Sequence, residues 1–198
     1  MTPEPWAIFV EGNDDKPFVE LLTGRVQMLD AVVHRIGGGV RHLHKVAANI
    51  RRARDDGRRI ALVLDADRNI VLRRREVERR IAELSLPICD KHVFLLPDNR
   101  RAGNLETLLE ELAVAEHRAV FDCLDAYRDC LGQASESYRA PGSKGRIHVY
   151  CEALATDRKK VHRNYRDRQR WDLAARAVEP LMAFLDSLAA ARAPSPSG

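Results

Sequence analysis

Carboxylates stand at two places where an apolar run gives out. The run Trp6-Ala-Ile-Phe-Val10 stops at Glu11-Gly-Asn-Asp-Asp15, and the strongly apolar Ile60-Ala-Leu-Val-Leu64 delivers Asp65-Ala-Asp67. Ligands of open α/β sheets bind outside the carboxyl ends of the strands, so acids at two strand ends are placed to converge. Glu11 and Asp15 are four residues apart, across a strand end and the first turn of a helix. Asp65 and Asp67 share a side if the backbone stays extended. Carboxylates gathered this way repel one another, raise each other's pKa values and destabilise the fold unless a cation joins them. Hard oxygen donors of this kind suit Mg²⁺ or Mn²⁺. A single acid at a strand end is ordinarily solvated or caps the next helix, but capping alone does not require two such groups in this order.

The elements that must position these acids can be read from periodicity. Residues 6–10 form a strand, and Pro17 suits the first turn of a helix running to about Thr23. A second strand, Ala31 to Ile36, ends in Gly37-Gly38-Gly39. A helix follows to Asp56, with Leu43, Val46, Ala47 and Ile50 on one face, and Gly57 closes it. The run at 60–64 is apolar throughout, as in a strand buried on both faces of a parallel sheet. The next helix, Ile70 to about Leu84, turns Val77, Ile81 and Leu84 inward and leaves Arg73, Arg74, Arg75, Arg79 and Arg80 largely outside that face. Lys91 to Leu96 is a fourth strand, closed by Pro97-Asp98-Asn99.

Strands alternating with helices imply an α/β fold, a mainly parallel, Rossmann-like sheet flanked by helices. Gly103-Asn-Leu-Glu106 opens a further helical stretch that runs with a break to about Leu131. Gln133 to Gly145, rich in Ser, Gly and Pro, reads as a covering loop. Ile147 to Leu154 is a late strand or helix, and Trp171 to Ala191 a final amphipathic helix. These readings set an α/β core at 1–131, a loop plus basic, mainly helical C-terminal extension of the same domain at 132–191, and a disordered tail at 192–198.

The 198 residues are 45% hydrophobic, enough for a core that needs no disulfide or structural metal. No apolar run approaches the roughly 20 residues of a membrane span, which points to a cytoplasmic protein without membrane contact. Cys89, Cys123, Cys130 and Cys151 form no CxxC pair and read as reduced and mostly buried. A net charge of +4 is only mildly basic, but residues 158–170 carry seven Lys/Arg against one Asp.

The order of the acidic motifs resembles the topoisomerase-primase, or Toprim, fold, in which a glutamate follows the first strand and a DxD the third. It is closer still to the Toprim domains of the OLD (overcoming lysogenization defect) nucleases, whose ExxxD, DxD and later GxxE supply two metal sites. Glu11 to Asp15, Asp65-Ala-Asp67 and Gly103-Asn-Leu-Glu106 match in that order. Phe94-Leu-Leu-Pro-Asp-Asn99 followed by Gly103-Asn-Leu-Glu-Thr-Leu-Leu109 also looks like a bacterial family of stand-alone Toprim-like proteins of this size. The resemblance covers residues 7 to about 112, and within these 198 residues no ATPase domain accompanies it.

What the resemblance implies is Mg²⁺- or Mn²⁺-dependent phosphodiester chemistry on nucleic acid, as in a Toprim-type nuclease, with metals about 4 Å apart. Glu11, Asp15, Asp65, Asp67 and Glu106 would be metal ligands, with Glu11 and Asp65 among the catalytic groups. The auxiliary cation would be Lys144, in Ser143-Lys-Gly-Arg146, or Lys16 as second choice. Arg100, Arg101, Arg158, Lys159, Lys160, Arg163 and Arg166 would contact the nucleic-acid backbone without reading sequence. The alternative is a non-catalytic Toprim-like module that binds nucleic acid or a partner protein, as in phage defence, and a homodimer fits either reading.

Other features are weaker. The three glycines at 37–39 lack the Gly-Lys-Ser/Thr of a P-loop and the spacing of a dinucleotide site, so they read as a tight turn. His42 and His44 diverge on a helix. Trp171 reads as a core anchor. A receiver domain would end its fourth strand in Ser or Thr, and a haloacid-dehalogenase-type phosphatase would carry DxD after its first strand. Neither pattern is present.

Overall fold

The computed structural model describes residues 5–155 and 163–191. The chain clusters into two compact units. The first runs up to Leu105 and resumes at Arg176, and the second runs from Glu106 to Ala175.

The first unit holds a four-stranded sheet, β1 (Trp6–Val10), β2 (Ala31–Arg35), β3 (Arg59–Asp65) and β4 (Val93–Leu96), in the order β2-β1-β3-β4. Every pairing is parallel, as the strand–helix alternation predicts. Its helices are α1 (Asp15–Thr23), α2 (Leu43–Asp55) and α3 (Ile70–Glu83), with α7 (Glu179–Ala190) returning from the C-terminal end of the chain. Every residue of β1 and β4 is buried, so their continuous apolar runs face helices on both sides. Ala7, Phe9, Leu62, Leu64 and Leu95 pack with α2 and α3 through Leu43, Ile50, Val77 and Ile81. On the opposite face Phe94 meets Phe184 of α7 at 5.3 Å, and the Trp6 indole Nε1 donates to the Leu188 carbonyl at 3.1 Å.

The second unit contains α5 (Ala119–Ala134), α6 (Ser143–Ala153) and all but the first residue of α4 (Leu105–Leu112). Its core is aromatic: Phe121 stacks on Tyr150 at 5.0 Å, and Tyr150 lies 5.2 Å from Trp171. Trp171 is an anchor, 1% exposed. Burial pushes the Tyr150 phenol up to about 12, and its hydroxyl donates to the Arg170 carbonyl at 2.7 Å. Arg146 forks onto Glu110 at 2.7 Å and Asp125 at 2.8 Å, and these acids hold its guanidinium well above its usual range.

Three expectations need correction. The polar segment 133–145 is not a loop throughout, because α5 extends to Ala134 and α6 begins at Ser143. The last helix starts at Glu179 rather than Trp171, with Pro180 in its first turn, where a missing N–H costs nothing. Of the four free cysteines only Cys151 is buried, while Cys89, Cys123 and Cys130 are exposed. Cys123 and Cys130 fall on the outer side of α5, whose one buried residue is Phe121. The segment 192–198 lies outside the described residues. Among those described, no helix is long and apolar enough to cross a membrane.

His92 ties the sheet edge to pH. Its ring stands edge-on to Trp6 at 4.9 Å with the Arg59 guanidinium 3.5 Å away, and burial, then Arg59 and Lys91, push its pKa down to about 4. The unfolded chain therefore takes a proton near pH 6.5 and the folded one only near 4, so the protein loses stability as pH falls through that window. Melting temperatures measured from pH 7 to 4 are expected to fall more steeply for the wild type than for His92→Gln. Parallel slopes would show that another group governs the window.

Candidate functional site

In the order β2-β1-β3-β4, the connection after β1 leaves toward β2 and the connection after β3 leaves toward β4, so the chain reverses direction between two neighbouring strands. The crevice outside their carboxyl ends is where open α/β sheets bind ligands. Glu11 follows β1 and Asp65 ends β3 at this point.

The glycine turn after β2 sets the Glu11 backbone. The N–H groups of Gly37 and Gly38 both donate to the Glu11 carbonyl, each at 3.2 Å. They reach it through φ values of 82° and 137°, which L side chains rarely adopt. At Gly39 a Cβ would come within 3.1 Å of Glu11 Oε1 and 3.5 Å of Arg73 Nη2, so the turn is packed against the carboxylate itself.

Asp65 accepts the Leu105 N–H on Oδ1 at 3.1 Å, and its own N–H points toward Glu11 Oε2 at 3.4 Å. Asp67 has a φ of 55°, a left-handed conformation that Asp and Asn tolerate best. Its carbonyl accepts the Gly103 N–H at 2.8 Å, which fastens the start of the GxxE motif to the DxD segment. Asn69 then caps α3, accepting the Leu72 N–H at 3.0 Å.

The cation that this cluster requires is present as Arg73. Only 8% exposed, it donates from Nη2 to Glu11 Oε2 at 2.8 Å and lies 3.2 Å from Asp67 Oδ2. Nη1 reaches Glu76 at 3.2 Å, and Nε donates to the Asp65 carbonyl at 2.9 Å. Burial nonetheless dominates at Glu11 and raises its pKa, with Arg73 opposing the shift and Asp67 adding to it. This overturns the placement of Arg73 on the outer face of α3. Its signal was spacing, since 73, 77 and 81 lie four apart on the helix and form one stripe with Val77 and Ile81.

The all-oxygen, anionic donor set of Glu11, Asp65 and Asp67 fits Mg²⁺ or Mn²⁺ in chemistry. In the arrangement described, two of the three turn onto a guanidinium. Among the described residues, no three His, Cys, Asp or Glu side chains are grouped to hold a metal ion.

Asp15 is buried at the start of α1, where its Oδ2 accepts the Gly12 N–H at 3.1 Å and closes the turn after β1. Glu106 belongs to the second unit, 3% exposed, and accepts from Arg163 at 2.9 Å. Lys144 is exposed in the first turn of α6, and Lys16 lies 3.7 Å from Glu20 one helical turn on.

Residues 5–190 match the family described as "Protein of unknown function (DUF3226)". The chain belongs to that family. No curated protein and no solved structure matches it.

The basic residues of this DUF3226 chain are divided. Arg101 is drawn back to Asp98, whose Oδ1 also accepts the Arg100 and Arg101 N–H groups. Arg100 is exposed and, with Arg74 and Arg75, lines a cavity of about 320 Å³ between the start of α3 and the turn after β4. Asn99 braces that wall, accepting from Arg74 and from the Leu95 N–H. Arg74 and Arg75 were not among the expected nucleic-acid contacts. In the second unit Arg163 serves Glu106, while Arg166 is exposed. Arg158, Lys159 and Lys160 lie outside the described residues.

Proposed function

We propose that this protein is a Toprim-type phosphodiesterase, dependent on Mg²⁺ or Mn²⁺, that acts on nucleic acid. The observation that supports it is that Glu11, Asp65 and Asp67 all stand at or just past the carboxyl ends of β1 and β3, the point of the sheet where the chain reverses direction. Glu11, Asp65 and Asp67 would hold the metal. When bound it would activate water and stabilise the leaving oxygen. Arg74, Arg75 and Arg100 would hold the phosphates of the strand beside the site, and contacts of that kind carry affinity without sequence.

A second reading has an observation of its own. Because Arg73 already pairs with Glu11 and Asp67, a module that binds nucleic acid without cutting it needs no metal to hold those two acids together. Labelled single- and double-stranded DNA and RNA, incubated with Mg²⁺, with Mn²⁺ and with EDTA, separate the two. Cleavage that EDTA abolishes is expected. Salt-sensitive binding with no cleavage under any metal would leave the binding module.

A further inference from the structure

We propose that Arg73 is a built-in competitor for the divalent ion, so that the acidic crevice takes up metal only as the guanidinium releases Glu11 and Asp67. This rests on the metal-dependent reading above and adds a residue that sets the affinity of that same site.

A guanidinium carries a permanent positive charge. A divalent ion approaching Glu11 Oε2 and Asp67 Oδ2 meets a fixed positive charge 2.8 Å and 3.2 Å from those oxygens. The two cations cannot share them at such distances, least of all around a side chain that is 8% exposed. One must displace the other.

The structure also supplies a place for Arg73 to go. Its Nη1 already reaches Glu76 Oε2 at 3.2 Å, one turn along α3, while Nη2 serves the crevice. Glu76 carries 30% side-chain exposure against 17% for Glu11, so a guanidinium that swings from Glu11 toward Glu76 moves toward solvent and keeps a carboxylate partner. A cavity of about 360 Å³ lined by Asp67, Leu72, Arg73 and Glu76 gives the side chain room to do so. Gly39 presses on the Glu11 side of the pair, where a Cβ would meet both groups, so the open direction is the Glu76 side.

The test is Mn²⁺ titration, followed by electron paramagnetic resonance of the free ion, of the full chain and of Arg73→Met, Arg73→Lys and Glu76→Gln. Arg73→Met keeps the length of the stem and removes the charge, and is expected to bind Mn²⁺ at least about tenfold tighter than the wild type. Arg73→Lys keeps the charge without the fork and should fall between them. Glu76→Gln removes the alternative partner and should bind several-fold more weakly. If Arg73→Met does not fold by circular dichroism, the opposite shifts of the Lys and Gln variants decide the matter.

Equal Mn²⁺ affinity in the wild type and all folded variants would overturn the competition and leave the metal site standing. No Mn²⁺ binding in any of them would remove the metal site and the competition together.

Discussion

If the proposed metal-dependent phosphodiesterase reading holds, Asp65→Asn combined with Asp67→Asn is expected to lower cleavage by at least about 10³-fold, because loss of even an outer-shell partner of a metal ligand typically costs 10–100-fold. Asparagine is the informative replacement at both positions. At 65 its side-chain oxygen can still accept the Leu105 N–H that Asp65 Oδ1 now takes at 3.1 Å. At 67 the φ of 55° suits asparagine nearly as well as aspartate, whereas alanine would add backbone strain to the lost charge. Arg73 keeps Glu11 as a partner at 2.8 Å, so the guanidinium is not left alone in the crevice. The double variant should therefore melt close to the wild type while losing turnover, measured by initial rates at saturating Mn²⁺. Undiminished cleavage in a folded double variant would remove these carboxylates from the chemistry.

The acids could be found from sequence because strand ends are punctuated. A continuous apolar run that stops at Glu or Asp shows both the strand and what it presents. Parallel order followed from the helices between the strands, and the right-handed crossover rule then fixes which helices cover which face. The guanidinium among the acids was harder to find. Arg73 was grouped with Arg74 and Arg75, and only its four-residue spacing from Val77 and Ile81 distinguishes it as part of the buried stripe. A charged residue in an apolar stripe is costly unless it is paired, and here, beside Asp67 and Glu76 close by in sequence, the shortest ion pair is to Glu11, contributed by a distant segment of the chain. No local window of sequence contains both Arg73 and Glu11.

The same limit applies to Glu106. Its place in Gly103-Asn-Leu-Glu106 suggests a ligand, yet the residue that meets it, Arg163, is 57 positions away. Likewise, that the loop is confined to 135–142 could not be read from composition. Ser143, Gly145 and Pro141 look like loop residues singly, but Gly142 stands just ahead of α6 and Arg146 is held inside it by Glu110 and Asp125.

Arg163→Ala is expected to destabilise the protein by about 3 kcal/mol, the lower part of the range for breaking a buried ion pair by removing one partner. Glu106 is 3% exposed, and its Oε1 accepts from Arg163 Nη1 at 2.9 Å. Without the guanidinium a carboxylate stays buried with its main counter-charge gone. The cost is held to the low end because Glu106 lies in the first turn of α4, where the helix dipole favours negative charge by roughly 0.3–1 kcal/mol. At about 2–4 °C per kcal/mol for a chain of this size, the melting temperature should drop by roughly 6–12 °C. Glu106→Gln in the Arg163→Ala background removes the stranded charge and should restore a large part of the loss. By the same logic Arg163→Ala should cost more than Arg166→Ala, since Arg166 is exposed and, among the described residues, its backbone N–H donates to Asn164. Urea denaturation of Arg163→Ala, Glu106→Gln, their double variant and Arg166→Ala measures each term. Additive costs for Arg163→Ala and Glu106→Gln would mean that the two side chains do not stabilise one another, and that Glu106 is buried for some reason other than its partner.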